Sequence, residues 1–375
     1  MTTGDSDTWA LATTTTTTTA TTATTTTTMP TTPTLLTPLR VAVLMGGPSN
    51  EHDVSLTSGR QVLAALGRHN AFEVLIERDG TFRVAGDVQP NLGAALTTIA
   101  ARADVAFIAL HGPFGEDGTV QALLEASGVP YTGSGVLASA LAMDKVRTKA
   151  LYKAEGLPTP GSTALSARQW RRDPGAIRTA VAKAGEAFGF PCVAKPSTLG
   201  SSFGLSMPAD ATQLLADVEH LLGRGHDVLL EQYVRGRELT CGVLDVEREG
   251  TTRALPLTEI VPRAHHAYFD YVAKYTPGES EEITPARVPD AVSEAVQDCA
   301  IRAHRALGCR DMSRSDFLLD AEGRIFMLET NTIPGFTKTS LLPQGAAAVG
   351  IDFRALTEIL VDNAWRRGAP RTLCA

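Results

Sequence analysis

The sequence predicts a mixed α/β and α+β chain, with an open parallel sheet near the N-terminal end and a less regular half after it. Three observations predict it. Short apolar runs alternate with helical apolar spacing from Arg40 onward. The first two of those runs end in glycine loops, as buried strands that feed helices do. After about residue 156 the alternation loses its regularity, and Pro158 and Pro160 mark the change. Strand–loop–helix repetition gives a parallel sheet with ligands at the carboxyl ends of its strands.

The elements follow in order. Val41–Met45 reads as a buried strand that stops at Gly46-Gly47-Pro48, and Val54–Leu66 as a helix with Leu56, Leu63 and Leu66 on one face. Asp104–Leu110 is a second strand, ending in His111-Gly112-Pro113-Phe114-Gly115. The helix after it carries Val120, Leu123 and Leu124, with Asp117 near its start and Gly128 as its stop. Leu137–Glu155 reads as one helix ended by Gly156. Asp227–Tyr233 and Glu238–Val246 read as strands separated by Arg235-Gly236-Arg237. Pro262–Pro285 shows little periodicity and reads as a long functional loop. Helical spacing returns from Pro343.

Composition excludes several classes. The chain has 375 residues, 34 Lys+Arg and 41 Asp+Glu, a net charge of −7, so no basic surplus exists to bind nucleic acid. No apolar stretch reaches the ~18 residues of a membrane span. The five cysteines (Cys192, Cys241, Cys299, Cys309, Cys374) include no CxxC, which argues against structural zinc or a disulfide scaffold and fits a reducing cytoplasm. Residues 1–38 are Thr-rich and lack both the apolar run of a secretory signal and the arginines of a transit peptide. They read as a disordered extension.

The most informative segment runs from Asp316 to Asn331. Two apolar runs flank Glu322-Gly323, a hairpin signal. A turn centred there pairs residue 320 with 325, 318 with 327 and Asp316 with Glu329. Asn331 shares Glu329's face if the strand persists. Three hard oxygen ligands at one end of a hairpin suit Mg²⁺, which takes one or two carboxylates plus substrate phosphates. By spacing alone, ordinary polar residues at strand ends explain the pattern equally well. Arg314, two residues before Asp316, places a cation on the same face, and Pro334-Gly335 turns the chain back toward Thr337–Ser340.

Lys195-Pro-Ser-Thr-Leu-Gly200-Ser201-Ser202-Phe-Gly204 follows an apolar run and resembles an anion loop, although alone it is a weak signal that reads more readily as an ordinary turn. Gly133-Ser-Gly135-Val-Leu-Ala138 fits GxGxxA, with Glu155 downstream, but no strong strand precedes it. A dehydrogenase reading therefore ranks low.

Taken together, several motifs resemble the D-alanine–D-alanine ligase family. They are Gly46-Gly47-Pro48-Ser49-Asn50-Glu51-His52, Leu110-His111-Gly112, Gly115-Glu116-Asp117-Gly118, Tyr131–Gly135, Met143-Asp144-Lys145 and the Lys195–Gly204 loop. Tyr271–Tyr275, Arg314-Ser-Asp316 and Glu329–Gly335 complete the set, in order from about residue 40 to the C-terminus. The resemblance implies an ATP-grasp fold behind a Rossmann-like N-terminal domain. Its divisions here are 39–140, 141–230 and 231–375, the last carrying the metal site and lid. It also implies ATP, two Mg²⁺ (or Mn²⁺), two D-alanines as substrates, and a cytoplasmic homodimer that serves peptidoglycan precursor synthesis.

The resemblance further implies roles. Lys145, Lys195, Ser202 and Lys274 would meet nucleotide phosphates, while Glu231, Val234 and Glu238 hold adenine and ribose. Asp316, Glu329 and Asn331 would ligate metal, and Arg314 and the Gly335 N–H would stabilise the oxyanion. Glu51, linked through Ser201 and Tyr275, would receive the first substrate's ammonium. Ser340 and Leu341 would receive the second substrate. His111 is open between a packing role and a substrate-carboxylate partner. Tyr275 argues against a D-lactate-selective relative, whereas a D-serine preference stays open. The Thr-rich extension has no counterpart in the family.

Overall fold

The computed structural model describes residues 37–200, 203–262 and 280–368. Ser201, Ser202, Lys274 and Tyr275 therefore lie outside the described residues, as do most of the Thr-rich segment and much of the expected lid.

The first sheet is built from β1 (Arg40–Gly46), β2 (Asn70–Ile76), β3 (Phe82–Val84), β4 (Asp87–Val88) and β5 (Val105–Ile108) in the order β4-β3-β2-β1-β5. Strand β1 runs parallel to both neighbours, β2 and β5. Helices α1 (His52–Ala65), α2 (Leu92–Arg102) and α3 (Thr119–Ala126) connect or follow these strands. Val41, Val43 and Leu44 are fully buried, as a strand with both faces covered requires. Each such side chain stabilises by roughly 1.5–3 kcal/mol relative to exposure.

Two helices follow, α4 (Val136–Met143) and α5 (Lys145–Ala154). They replace the single helix expected over Leu137–Glu155. Asp144 breaks it: its backbone leaves the helical region, and its carboxylate accepts hydrogen bonds from the N–H groups of Val146 (2.9 Å) and Arg147 (3.2 Å). An aspartate at this position caps a new helix more favourably than it continues an old one.

The second sheet contains β6 (Ser162–Leu165), β7 (Cys192–Pro196) and β8 (Val228–Gln232), ordered β6-β8-β7, with α6 (Ala167–Arg172), α7 (Pro174–Phe188) and α8 (Ala211–Gly223) packed around it. The third comprises β9 (Arg237–Val246), β10 (Thr251–Ala254), β11 (Thr258–Pro262), β12 (Ser280–Ile283), β13 (Met312–Leu319) and β14 (Ile325–Asn331), with α9 (Asp290–Leu307) beside it. Strand β12 lies inside the stretch read as an unpatterned loop. Only four residues long and carrying Glu281-Glu282, it pairs antiparallel with β11 at a sheet edge.

Helices α10 (Leu341–Ala347) and α11 (Phe353–Arg367) close the described chain. Leu356, Leu360 and Val361 join the same core as β1 and β5, and Phe336 bridges Phe107 and Phe353 with ring centroids 5.3 and 5.2 Å away. The two ends of the chain thus share one core. Asp311, fully buried with φ +64°, reinforces that junction by pairing with Arg367 and accepting the Gly133 N–H at 2.6 Å. The Gly133–Ala138 stretch, which fits GxGxxA, is thereby tied into that junction. The segment before it contributes a single parallel bridge, Ala106 with Tyr131.

Candidate active site

A cavity of about 590 Å³ opens between the second and third sheets. Its lining brings together Lys145 from α5, Lys195 from β7, Glu231 from β8, Glu238 from β9, Asp316 from β13 and Glu329 from β14. Val234 and Leu341 also line it, beside an apolar wall that includes Leu239, Ile260 and Leu318. An apolar slot flanked by cations and carboxylates suits a flat ring attached to a polyanion.

The hairpin that carries the carboxylates is built by two offsets. The loop is Ala321-Glu322-Gly323, with Asp320 N–H donating to the Arg324 carbonyl at 3.0 Å and Gly323 at φ +80°. Residue 318 consequently pairs with 326 rather than 327, and 319 with 325, so the expected 320–325 and 318–327 pairs do not form. A bulge then inserts Leu328 into β14, and Asp316 pairs with Glu329 after all. Leu328 and Glu329, adjacent in sequence, are both only partly buried between buried Met327 and Thr330, a spacing that strict alternation would not give.

Around Asp316 the contacts are dense. Arg314 donates to both carboxylate oxygens, from Nε at 2.9 Å and a terminal nitrogen at 2.8 Å. The Thr240 hydroxyl donates at 2.6 Å, and Asn331 Nδ2 lies 3.4 Å away because β14 persists to that residue. Lys145 Nζ donates to the Leu199 carbonyl at 2.8 Å and lies 3.5 Å from Glu329. Thr240 gave no motif signal; only its pairing opposite Asp316 on β9 reveals it.

Glu231 is buried between two lysines, Lys149 and Lys195, one at each carboxylate oxygen. Burial raises its acidity constant's pKa, but the two cations outweigh that and hold the carboxyl below the usual range. Lys195 keeps its proton for the complementary reason: desolvation lowers its pKa, and Glu231 with Glu329 more than compensates.

Glu51 sits at the N-terminal edge of α1, buried against the second glycine loop. A Cβ on Gly112 would come within 2.6 Å of its carboxylate, and one on Gly200 within 3.6 Å. Gly112 also has φ +73°, so both space and backbone require glycine there. Ser49 Oγ donates to the His111 carbonyl at 2.6 Å, and the His111 ring shares a 3.0 Å hydrogen bond with Ser58. His111 is thereby held against the first glycine loop and helix α1. Gly335 lies next to Ser340, whose Oγ accepts the Thr337 N–H at 3.0 Å and which precedes α10.

Comparison with known proteins decides the family. Models described as D-ala D-ala ligase N-terminus and C-terminus match residues 40–95 with 88–134, and 151–362. The chain belongs to the D-alanine–D-alanine ligase family. Relatives named D-alanine–D-alanine ligase include one from Desulfotalea psychrophila, 45% identical over 86% of this chain and 94% of its own length. Another, from Syntrophobacter fumaroxidans, is 45% identical over 87% and 97%. The fold resembles that of the VanG D-Ala:D-Ser ligase of Enterococcus faecalis (TM-score 0.73, 29% identity, 88% of this chain and 100% of that one). It also resembles the Bacillus anthracis D-alanine–D-alanine ligase complexed with ATP (TM-score 0.69, 29% identity, 88% and 98%). The ATP-grasp architecture expected from the motifs is therefore the fold of this ligase.

The lysines and carboxylates that line the cavity could hold a nucleotide and a divalent cation. Asp316, Glu329 and Asn331 offer hard oxygens, and among the described residues no cluster of three His, Cys, Asp or Glu forms. Two carboxylates and an amide would suit Mg²⁺ whose shell is completed by phosphate oxygens. No helix among the described residues is long and apolar enough to cross a membrane.

Proposed function

We propose that this chain joins two D-alanines at the expense of ATP, releasing ADP and phosphate, to supply the dipeptide of peptidoglycan precursors. The observation that carries the reading is the single cavity where Lys145, Lys195, Glu231, Glu238, Asp316 and Glu329 converge. A carboxylate and ATP are both anions, so a site that joins them must cancel their repulsion.

In the first step a carboxylate oxygen of D-alanine attacks the γ-phosphorus, and ADP leaves. The amine of the second D-alanine then attacks the acyl phosphate carbon, loses a proton, and phosphate departs from the tetrahedral intermediate. Glu51 holds the first ammonium, with Ser201 and Tyr275 linked to it. Lys145, Lys195, Ser202 and Lys274 hold phosphates. Glu231, Val234 and Glu238 position adenine and ribose. Arg314 and the Gly335 N–H stabilise the oxyanion, while Ser340 and Leu341 receive the second substrate. His111 orients the loop beside Glu51. Two Mg²⁺ (or Mn²⁺), held by Asp316, Glu329 and Asn331, would neutralise phosphate charge when bound. A homodimer completes the assignment.

Hydroxylamine trapping tests the acyl phosphate: D-alanyl hydroxamate should form with ATP and D-alanine, and not when either is omitted. Its absence during active turnover would contradict the two-step route. A second reading places D-serine in the second position, favoured by the 29% likeness to a D-Ala:D-Ser ligase. The 45% identity to D-alanine–D-alanine ligases favours the first.

A further inference from the structure

Lys149 is a cation to which the roles above give no task. It lies one turn beyond Lys145 on α5, on the same face. Its side chain is only 2% exposed, and its ammonium meets Glu231 and donates to the Thr159 hydroxyl. A buried ammonium is costly unless it is matched, so such a placement calls for a compensating contact and a consequence.

The charge count supplies the consequence. Glu231 carries Lys149 on one oxygen and Lys195 on the other, so the three groups together hold one surplus positive charge beside the cavity. Remove Lys149 and Glu231 cancels Lys195 outright. We propose that Lys149 is a positioning residue for the nucleotide pocket: it neutralises Glu231 and so leaves the charge of Lys195 available to an anionic ligand. This rests on reading the cavity as a nucleotide site.

The same lysine ties the two walls of the cavity together. Thr159 accepts from Lys149 and donates to the Met327 carbonyl at 2.9 Å, while Met327 N–H donates to the Pro158 carbonyl at 2.8 Å. Met327 adjoins the bulge that presents Glu329. One face of α5 thus reaches Glu329 through Lys145 and Glu231 through Lys149.

The surplus charge is sensitive to pH. Burial draws the Lys149 ammonium down to about 8, against the raising effect of Glu231, and Lys195 and Lys153 add to the lowering. Those are the charged groups that face it from β8, β7 and α5 itself. From the other elements along α5, Glu329 on β14 meets Lys145, and Arg302 on α9 donates to the Glu155 carbonyl.

The test is calorimetric titration of the full chain with ADP at about pH 7 and about pH 9.5, using wild type, Lys149→Met and Lys149→Arg. The Met variant should bind ADP about tenfold more weakly at neutral pH, the scale of one lost charge interaction in a partly desolvated site. Wild-type affinity should fall by a similar factor at the higher pH. The Arg variant, charged throughout, should not show that fall, and neither should the Met variant. Equal ADP affinity in wild type and the Met variant would overturn the proposal. So would a wild-type profile that parallels the Arg variant's, a comparison that stands even if the Met variant fails to fold. A wild type that binds no ADP at either pH would instead overturn the nucleotide reading itself.

Discussion

Asp316 and Glu329 are Cα partners across β13 and β14, with the extra residue Leu328 bulged beside them. Three-residue loop and bulge act together: the loop sets one register near the tip, and the bulge shifts it by one before the carboxylates are reached. Deleting Leu328 removes the extra residue but leaves Glu329 directly after Met327, still opposite Asp316 in a continuous register. Turnover should therefore stay within about tenfold of wild type, whereas Glu329→Gln should lower it on the order of 10²-fold or more, the usual scale for losing one charge-stabilising group. ATP-dependent phosphate release measures both. A loss in the deletion as large as that in Glu329→Gln would show that pairing with Asp316 is not what sets the carboxylate geometry.

Arg314 reaches Asp316 with two parallel hydrogen bonds at 2.9 and 2.8 Å, which fixes its guanidinium beside the carboxylates. Arg314→Ala should still bind ADP but lose roughly 10²–10³ in kcat, the cost of removing an oxyanion donor. Stopped assays of turnover beside ADP titration separate the two effects. Near-normal kcat would refute the role.

At the junction of the chain's two ends, Arg367 neutralises the fully buried Asp311. Arg367→Ala leaves that carboxylate with the Gly133 N–H but without its cation, and should destabilise by about 3 kcal/mol. The urea midpoint of the variant should fall accordingly. Arg367→Lys should recover only part of the loss, because one ammonium cannot reproduce the fork that bonds both carboxylate oxygens.

Asp245 supplies a pH dependence. Burial raises its pKa, but the hydrogen bond and charge of His304 together with the Thr252 hydroxyl outweigh it, and the net shift is downward. A carboxyl whose folded value is depressed contributes stability that is present above its unfolded pKa of about 3.9 and lost as pH falls through the folded value. Urea unfolding at about pH 6 and about pH 3 should show a larger loss in wild type than in Asp245→Asn. Equal losses would remove Asp245 from the account.

Much of this architecture was legible in the residues, for identifiable reasons. Strand β1 is an apolar run bounded by Arg40 and Gly46, and periodicity reports such elements well. The break at Asp144 was not, because apolar spacing continues across it and only the cap hydrogen bonds end the helix. Nor was the bulge: Met327 and Leu328 are both apolar, so a period-two pattern cannot say which one is extra. Asp316 and Glu329 were nevertheless correctly paired, since the loop and bulge offsets cancel. Lys149 stayed hidden because a lysine on a helix ordinarily reads as a solvated face, while its partner Glu231 lies on a distant strand. Four residues, Ser280–Ile283, were too few and too acidic to announce an edge strand.

The central claim is that the cavity activates D-alanine for attack by a second D-alanine. Its most direct test is ATP-dependent phosphate release by the full chain with Mg²⁺, with product mass determined for D-alanine alone and for D-alanine paired with D-serine or D-lactate. D-alanyl-D-alanine as the main product in every mixture, with one phosphate released per dipeptide, is the result the account predicts. Preferential mixed product, or no phosphate release that depends on D-alanine, would contradict it.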